Sequence, residues 1–342
     1  MQLPLKKPFI TSIRRVEAID DVVLELYSDE GLVGYGAAAP TVAITGESKP
    51  DIIETIEKNI LPLVIGKELN TSLLEVIQDC CVKHSSAKAC VDIALYDLLS
   101  QEAKQPLYIY LGGKKRDLKT CITISLNDTQ EMVQNSIEAY QNGFEELKIK
   151  LGSDITHSIE TVQSIHKNVP DAKLLLDANQ AWNLKSAKEI IGALNDLPIV
   201  LIEQPLEKDA LQQMAELTKM SKYPILADES VFNIDEAKQI VALEGCDMIN
   251  IKLMKCGGLF EAQKIVRFAE EKEIMCMIGS MLENPISVAA AAHFALSSDA
   301  ITYLDLDAPI LAEFNPIDNV FHYEKDLISL TEKPGLGIEV GR

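Results

Sequence analysis

The feature that most constrains this chain is a period of about 26 residues that begins near residue 120. Short apolar runs (TCITISL, ELKIKLG, KLLLDAN, IVLIEQP, PILADES, MINIKLM, IMCMIGS and TYLDLDA) alternate with longer amphipathic segments such as MVQNSIEAYQNG and EAQKIVRFAEEKE. The residues closing successive runs are Lys150, Asp177, Glu203, Asp228, Lys252, Gly279 and Asp305, at intervals of 27, 26, 25, 24, 27 and 26 residues. Eight strand–helix alternations imply a parallel sheet and are enough to close a ring. A doubly wound sheet would string these residues along a line, whereas a barrel gathers them at one mouth. The expected fold class is therefore α/β: a TIM-type barrel of seven or eight (β/α) units with an α+β N-terminal capping domain.

The first hundred residues read as that second domain. VVLELYSDEGLVGYG predicts a hairpin turning at Asp29-Glu30-Gly31, and DIIETIEKNILPLVI, SLLEVIQDCCVK and AKACVDIALYDLLSQEA predict helices. LGGKKRDLK reads as a linker. The expected boundaries are a capping domain over 1–115, a barrel over 116–314, and C-terminal strands over about 315–342 that rejoin the cap.

Composition narrows the partners. With 47% hydrophobic residues a large core is available, and a net charge of -20 argues against nucleic acid or an anionic membrane. No apolar run reaches 18 residues, and MQLPLKKPF lacks a signal-peptide core. Seven cysteines without a CxxC pair suit free thiols in a reducing cytoplasm. A homo-oligomer stays open. The five histidines form no HExxH or HxH cluster, which argues against a histidine zinc site.

The step positions carry chemistry. Asp177, Glu203 and Asp228 end three consecutive runs, so three carboxylates face one mouth. Read singly, each caps a helix or makes a surface pair; at matched register they need a cation, and an all-oxygen set suits Mg²⁺, with Mn²⁺ the alternative. Lys150 and Lys252 end runs two and six, on opposite sides of an eight-stranded ring. One amine can take a proton from a carbon while the other ammonium returns one to its far face. Lys148 shares the face of Lys150 and, with the cation, is expected to depress the base's pKa. In YLDLDAP, Asp305 and Asp307 are expected on one strand face about 7 Å apart, repelling by about 2–3 kcal/mol at an effective dielectric near 20. They too call for a cation.

At these residues the chain resembles the enolase superfamily, in its muconate-lactonising subgroup. KIK, LDANQAW, IEQP, ADES and INIKLMKCGG occur in order, with LYIYLGG before them and KPGLGIEV after them, so the likeness spans nearly the whole length. The resemblance implies Mg²⁺ on Asp177, Glu203 and Asp228, acid/base roles for Lys150 and Lys252, an assisting Lys148, a structural Lys255, and proton removal α to a carboxylate through an enediolate. The DxD resembles the dipeptide-epimerase branch, where the pair grips a substrate α-ammonium. Arg14 matches that branch's arginine for a glutamate side chain, Ile44 in the loop Pro40–Ser48 is a candidate wall, and Ser280 beside Gly279 is a further candidate contact. The implied activity is epimerisation of L-Ala-D/L-Glu in recycling of cell-wall peptides. Rivals are an o-succinylbenzoate synthase, an N-acylamino acid racemase, a cycloisomerase, an epimerase preferring hydrophobic or cationic side chains, and a non-catalytic metal- or peptide-binding barrel. One departure is Ala37, where members commonly carry a glutamate.

Overall fold

The computed structural model describes residues 1–317 and 320–338; parts of the expected C-terminal strands and the end of KPGLGIEV lie outside the described residues. The N-terminal region opens with two antiparallel hairpins, β1 (Gln2–Ile10) on β2 (Arg15–Asp20) and β3 (Val22–Tyr27) on β4 (Val33–Ala38). The second turns where the sequence predicts: the Gly31 N–H donates to the Ser28 carbonyl, with Gly31 at φ +83°. Six helices follow: α1 (Val42–Thr45), α2 (Lys49–Thr55), α3 (Leu61–Val64), α4 (Ser72–Asp79), α5 (Ser85–Glu102) and α6 (Leu107–Tyr110). A π-helical turn at Ile56–Ile60 joins α2 to α3 just before Pro62, whose ring nitrogen has no hydrogen to donate.

Helix α5 is buried from Ser86 to Ser100 and so shows no polar face. Strand β4 lies against it so closely that a Cβ at Gly36 would stand 1.9 Å from the Cys90 carbonyl oxygen. Neighbouring Ala37 is fully buried. A glutamate there would have to bury its charge.

After the short β5 (Leu118–Lys119), each apolar run becomes one parallel strand: β6 (Ile122–Ile124), β7 (Glu146–Lys150), β8 (Lys173–Asp177), β9 (Ile199–Glu203), β10 (Ile225–Ala227), β11 (Met248–Lys252), β12 (Met275–Gly279) and β13 (Ile301–Asp305). They pair in chain order from β6 to β13. The ring closes through single bonds: the Cys121 N–H donates to the Leu304 carbonyl (3.0 Å), Leu306 N–H to Thr120 Oγ1 (2.9 Å) and Thr123 N–H to Asp307 Oδ2 (2.6 Å). The eight-stranded barrel with an α+β N-terminal domain is the expected fold.

The sequence period has a direct structural meaning. Lys150 pairs with Asp177, Asp177 with Glu203, Lys252 with Gly279, and Gly279 with Asp305 as ladder neighbours. Two residues earlier on their strands, Leu175, Leu201, Leu226 and Met277 cluster with Cys121 and with Met248, four residues before Lys252, as a buried plug. Helices α7 (Thr129–Gln141), α8 (Ile155–Asn168), α9 (Leu184–Ala193), α10 (Leu211–Met220), α11 (Ile234–Ala242), α12 (Leu253–Cys256), α13 (Leu259–Glu271), α14 (Pro285–Ala295) and α15 (Ala308–Leu311) complete the units. The single turn α12 falls inside the IKLMK motif, where the sequence suggests only strand.

Beyond the barrel, β14 (Phe321–Glu324) pairs with β15 (Leu327–Leu330), which pairs with β5. The chain then meets the N-terminal region: Leu107 N–H donates to the Gly335 carbonyl (2.8 Å) and Leu336 N–H to Asp97 Oδ1 (2.7 Å). Among the described residues no helix is long and apolar enough to cross a membrane.

Candidate active site

Three of the predicted residues form a buried carboxylate tier on adjacent strands. Asp177 ends β8, Glu203 ends β9 and Asp228 follows β10, each with essentially no exposure. Their oxygens are turned onto lysines. Lys150 Nζ donates to Asp177 Oδ2, Lys148 Nζ lies 2.6 Å from Glu203 Oε2, and Lys252 Nζ donates to Asp228 Oδ2 at 2.7 Å. Lys255, predicted as structural, holds Asp228 Oδ1 at 2.6 Å and the Val231 and Asn250 carbonyls.

The charges are unevenly shared. Burial would raise the Asp177 carboxyl, but Lys150, Lys148 and Lys252 overrule it and hold it down at about 2. Asp228 is held lower still by Lys252 and Lys255 against the same burial. Glu203 goes the other way: burial and the nearby Asp177 push it up to about 7 in spite of Lys148. Lys148, Lys150, Lys252 and Lys255 together neutralise the three carboxylates, of which Glu203 is the one pushed towards its neutral form. No cluster of three or more His, Cys, Asp or Glu side chains in metal-holding arrangement occurs among the described residues. The fit to a hard divalent ion therefore rests on the all-oxygen donor set.

Burial would depress Lys252, yet Asp228 and Glu203 outweigh it and raise the ammonium above its ordinary value. Lys148 is raised in the same way by Asp305, Glu203 and Asp177. With only the protein's charges present, the carboxylates act fully on the ammonium groups. A divalent charge on those oxygens would reverse the sign.

The DxD is not a pair on one strand face. Asp305 ends β13, but Asp307 has φ −92° and ψ −6° and opens α15, whose first turn contains Pro309. Each already has a partner: Asp305 Oδ2 accepts from Lys148 Nζ (2.6 Å) and Asp307 Oδ2 accepts the Thr123 N–H. Burial and Asp305 push Asp307 up to about 6, whereas Lys148, Lys150 and Lys252 overcome burial to hold Asp305 low. For Asp305 the cation asked for by the sequence is supplied within the chain by Lys148.

Arg14, Ile44, Lys150, Lys252, Ser280, Asp305 and Asp307 line one cavity of about 30 Å³, room for roughly one water. Lys148 and the carboxylate tier lie beneath it. Arg14 sits in the β1–β2 turn with Nη1 3.5 Å from Thr41 Oγ1, and no ion pair to it occurs among the described residues; burial lowers its pKa. Ser280 Oγ donates to the Asp305 carbonyl (3.3 Å). Ile44 comes from α1, a helical turn inside the predicted loop. A larger cleft of about 740 Å³ shares the Ile44 wall but holds neither Lys150 nor Lys252.

Sequence reasoning missed some of the surroundings. Asn179, in LDAN, donates its N–H to Asp177 Oδ1 (2.9 Å) and Nδ2 to Glu229 Oε1 (3.2 Å), at φ +42°. Asn250 donates Nδ2 to Glu203 Oε1 at 2.8 Å. Asn250 stands on β11 two residues before a step position and so faces the same way, the signal that would have found it, whereas Asn179 lies beyond the end of β8. Thr123 and Phe9 carry no such mark.

Known proteins share this fold. Residues 1–112 match the mandelate racemase / muconate lactonizing enzyme N-terminal domain, and residues 131–342 match the enolase C-terminal domain-like family. The L-Ala-D/L-Glu epimerase of Clostridium acetobutylicum is 40% identical, across 99% of this chain and 96% of its own. The structure of a substrate-liganded complex of the L-Ala-D/L-Glu epimerase from Bacillus subtilis superposes with TM-score 0.97 at 40% identity, covering 99% of this chain and 96% of that one. The dipeptide epimerase of Enterococcus faecalis, complexed with Mg and L-Leu-L-Tyr, gives TM-score 0.93 at 39% identity over 99% and 97%. With both halves matched and relatives aligned end to end, this chain belongs to the enolase superfamily, in its mandelate racemase / muconate lactonizing enzyme family.

Proposed function

We propose that this protein is a Mg²⁺-dependent dipeptide epimerase that inverts the α-carbon of the C-terminal residue, with L-Ala-D/L-Glu its substrate. The observation that carries the reading is Lys150 and Lys252, four strands apart in the ring, opening into one cavity above buried carboxylates. The named activities and Mg–dipeptide complexes of the relatives support it.

Asp177, Glu203 and Asp228 would hold the ion, which when bound supplies Lewis-acid stabilisation of negative charge on the substrate carboxylate. The rest of the work falls to the chain. One lysine, as the amine, takes the α-proton from its face; the other, as the ammonium, delivers a proton to the opposite face, so one proton is lost and one gained. Asp305 and Asp307 would receive the α-ammonium of the N-terminal residue, whose charge relieves the repulsion that raises Asp307. Arg14, with no ion-pair partner among the described residues, would take the glutamate side chain, since a planar guanidinium suits a carboxylate. A dipeptide does not fit 30 Å³, so the walls at Ile44 and at the β1–β2 turn must open. The activities without a free α-ammonium are disfavoured by two buried aspartates at the cavity. A cytoplasmic setting belongs to the same reading and rests on seven unpaired cysteines.

Proton NMR of L-Ala-L-Glu with the protein and Mg²⁺ in D₂O tests the proposal. The glutamate α-proton signal should disappear as the other diastereomer appears. Absence of exchange across a dipeptide library, with Mg²⁺ shown to bind, would sink it.

A further inference from the structure

At the step positions from β7 to β13 every residue is charged except Gly279. Its backbone is not left-handed, so conformational freedom does not explain the glycine. Space does. Gly279 is the ladder partner of Lys252 on β11 and of Asp305 on β13. A Cβ built there would stand 3.1 Å from Lys252 Cε, and 2.8 Å and 3.1 Å from Asn250 Oδ1 and Nδ2. Those two side chains are buried and committed: Lys252 Nζ to Asp228 Oδ2 at 2.7 Å, and Asn250 Nδ2 to Glu203 Oε1 at 2.8 Å.

We infer that Gly279 is a positioning residue: its missing side chain is the channel along which Lys252 reaches the reacting carbon, and it fixes that lysine alone. The inference rests on the two-lysine epimerase reading. Lys150 approaches from β7, four strands from Lys252 in the ring, and the three atoms nearest a Cβ at Gly279 belong to Asn250 and Lys252. A methyl group at 279 would therefore displace one of the two proton-transfer groups by a few tenths of an ångström and leave the other in place. Misplacement on that scale is felt in proton transfer, where distance and alignment set the rate. The consequence is a stereochemical asymmetry, not a uniform loss.

The test is the ratio of α-proton exchange rates of the two epimers, L-Ala-L-Glu and L-Ala-D-Glu, in D₂O with Mg²⁺. Each lysine washes the proton from one epimer, and a ratio taken on one sample does not depend on how much of the protein is folded. For Gly279→Ala the ratio should shift about tenfold or more, towards the side on which Lys252→Ala loses exchange, with KM for the unaffected epimer within about twofold. An unchanged ratio with both rates lowered together would make Gly279 merely structural and overturn the inference. If Gly279→Ala does not fold, Gly279→Ala combined with Asn250→Ala removes the 2.8 Å contact while keeping that with Lys252; the same skew is expected, and its absence overturns the inference equally. A wild-type protein that exchanges neither epimer would defeat the epimerase reading itself. Exchange of both by the wild type, with no skew in the variants, would defeat only the role of Gly279.

Discussion

Lys148 has no exposure and is 2.6 Å from both Glu203 Oε2 and Asp305 Oδ2, with Asp177 Oδ2 at 3.1 Å. One ammonium thus joins the carboxylate tier to the start of the DxD. Removing it leaves buried carboxylates short of a counter-charge, and breaking a buried pair costs about 3–5 kcal/mol. Lys148→Met should therefore lower thermal stability as well as activity, read by calorimetry beside turnover; loss of turnover with an unchanged Tm would mean that the lysine acts only in the reaction. Arg14 is the contrasting case, because among the described residues no carboxylate is paired with it. Arg14→Ala should leave stability within about 0.5 kcal/mol and raise KM for acidic C-terminal residues about 10- to 100-fold. Competition between Ala-Glu and Ala-Leu as substrates checks this: equal loss for both would show that Arg14 does not read the side chain.

Among the elements, α5 ties the N-terminal region to the barrel. From its buried face Asp92 accepts the N–H groups of Leu259 and Phe260 at the start of α13, while Asp97 accepts from Tyr35 and Leu336. On its other side β4 is in backbone contact at Gly34 and Gly36. Gly36→Ala forces a methyl group into the Cys90 carbonyl and should cost at least about 1–3 kcal/mol, the range for overpacking. Chemical denaturation measures it; a change below about 0.5 kcal/mol would mean that the strand slides freely on the helix. The seven-residue run Gly34–Pro40 contains the pattern of a strand, but nothing in it announces this contact. The close approach exists only once α5 is in place.

For the molecule as a whole, the lysines that face the carboxylate tier imply that the fold stands without its ion. Stripping divalent ions with EDTA should abolish epimerisation while leaving a cooperative thermal transition. Restoring Mg²⁺ at 100 times its dissociation constant should add about 2.7 kcal/mol by mass action. An unfolded chelated protein would contradict the charge compensation seen here. His293 sets part of the acid limb. It is fully buried on α14, its Nδ1 accepts the Tyr108 N–H (3.1 Å), and burial lowers its pKa to about 3 against 6.5 for the free side chain. The unfolded chain therefore binds the extra proton first, so stability falls as pH drops from about 6.5 towards 3, at up to about 1.4 kcal/mol per unit. His293→Gln, which keeps an acceptor but does not titrate, should flatten that limb. Urea unfolding at pH 7 and pH 4.5 compares the slopes, and equal slopes would place the acid sensitivity elsewhere.

At this scale the division between sequence and fold is plain. The barrel was legible because a parallel ladder forces neighbouring strands into register, so a step near 26 residues becomes one ring of side chains. Alternation along each strand then fixes which residues face inward, and the order KIK, LDAN, IEQP, ADES, IKLMK names the reactive ones. That information is local and periodic, and the chain by itself carries it. What the sequence could not reveal depends on contacts between distant segments. Lys148 answering Asp305 spans 157 residues, the Thr123 N–H on Asp307 spans 184, and Arg14 arrives from another sheet. Asp307 left the strand because Pro309 starts a helix, and the Lys252 ammonium is held above its ordinary pKa because buried carboxylates surround it. Only the tertiary structure decides burial and long-range charge, and those set the electrostatics of the site.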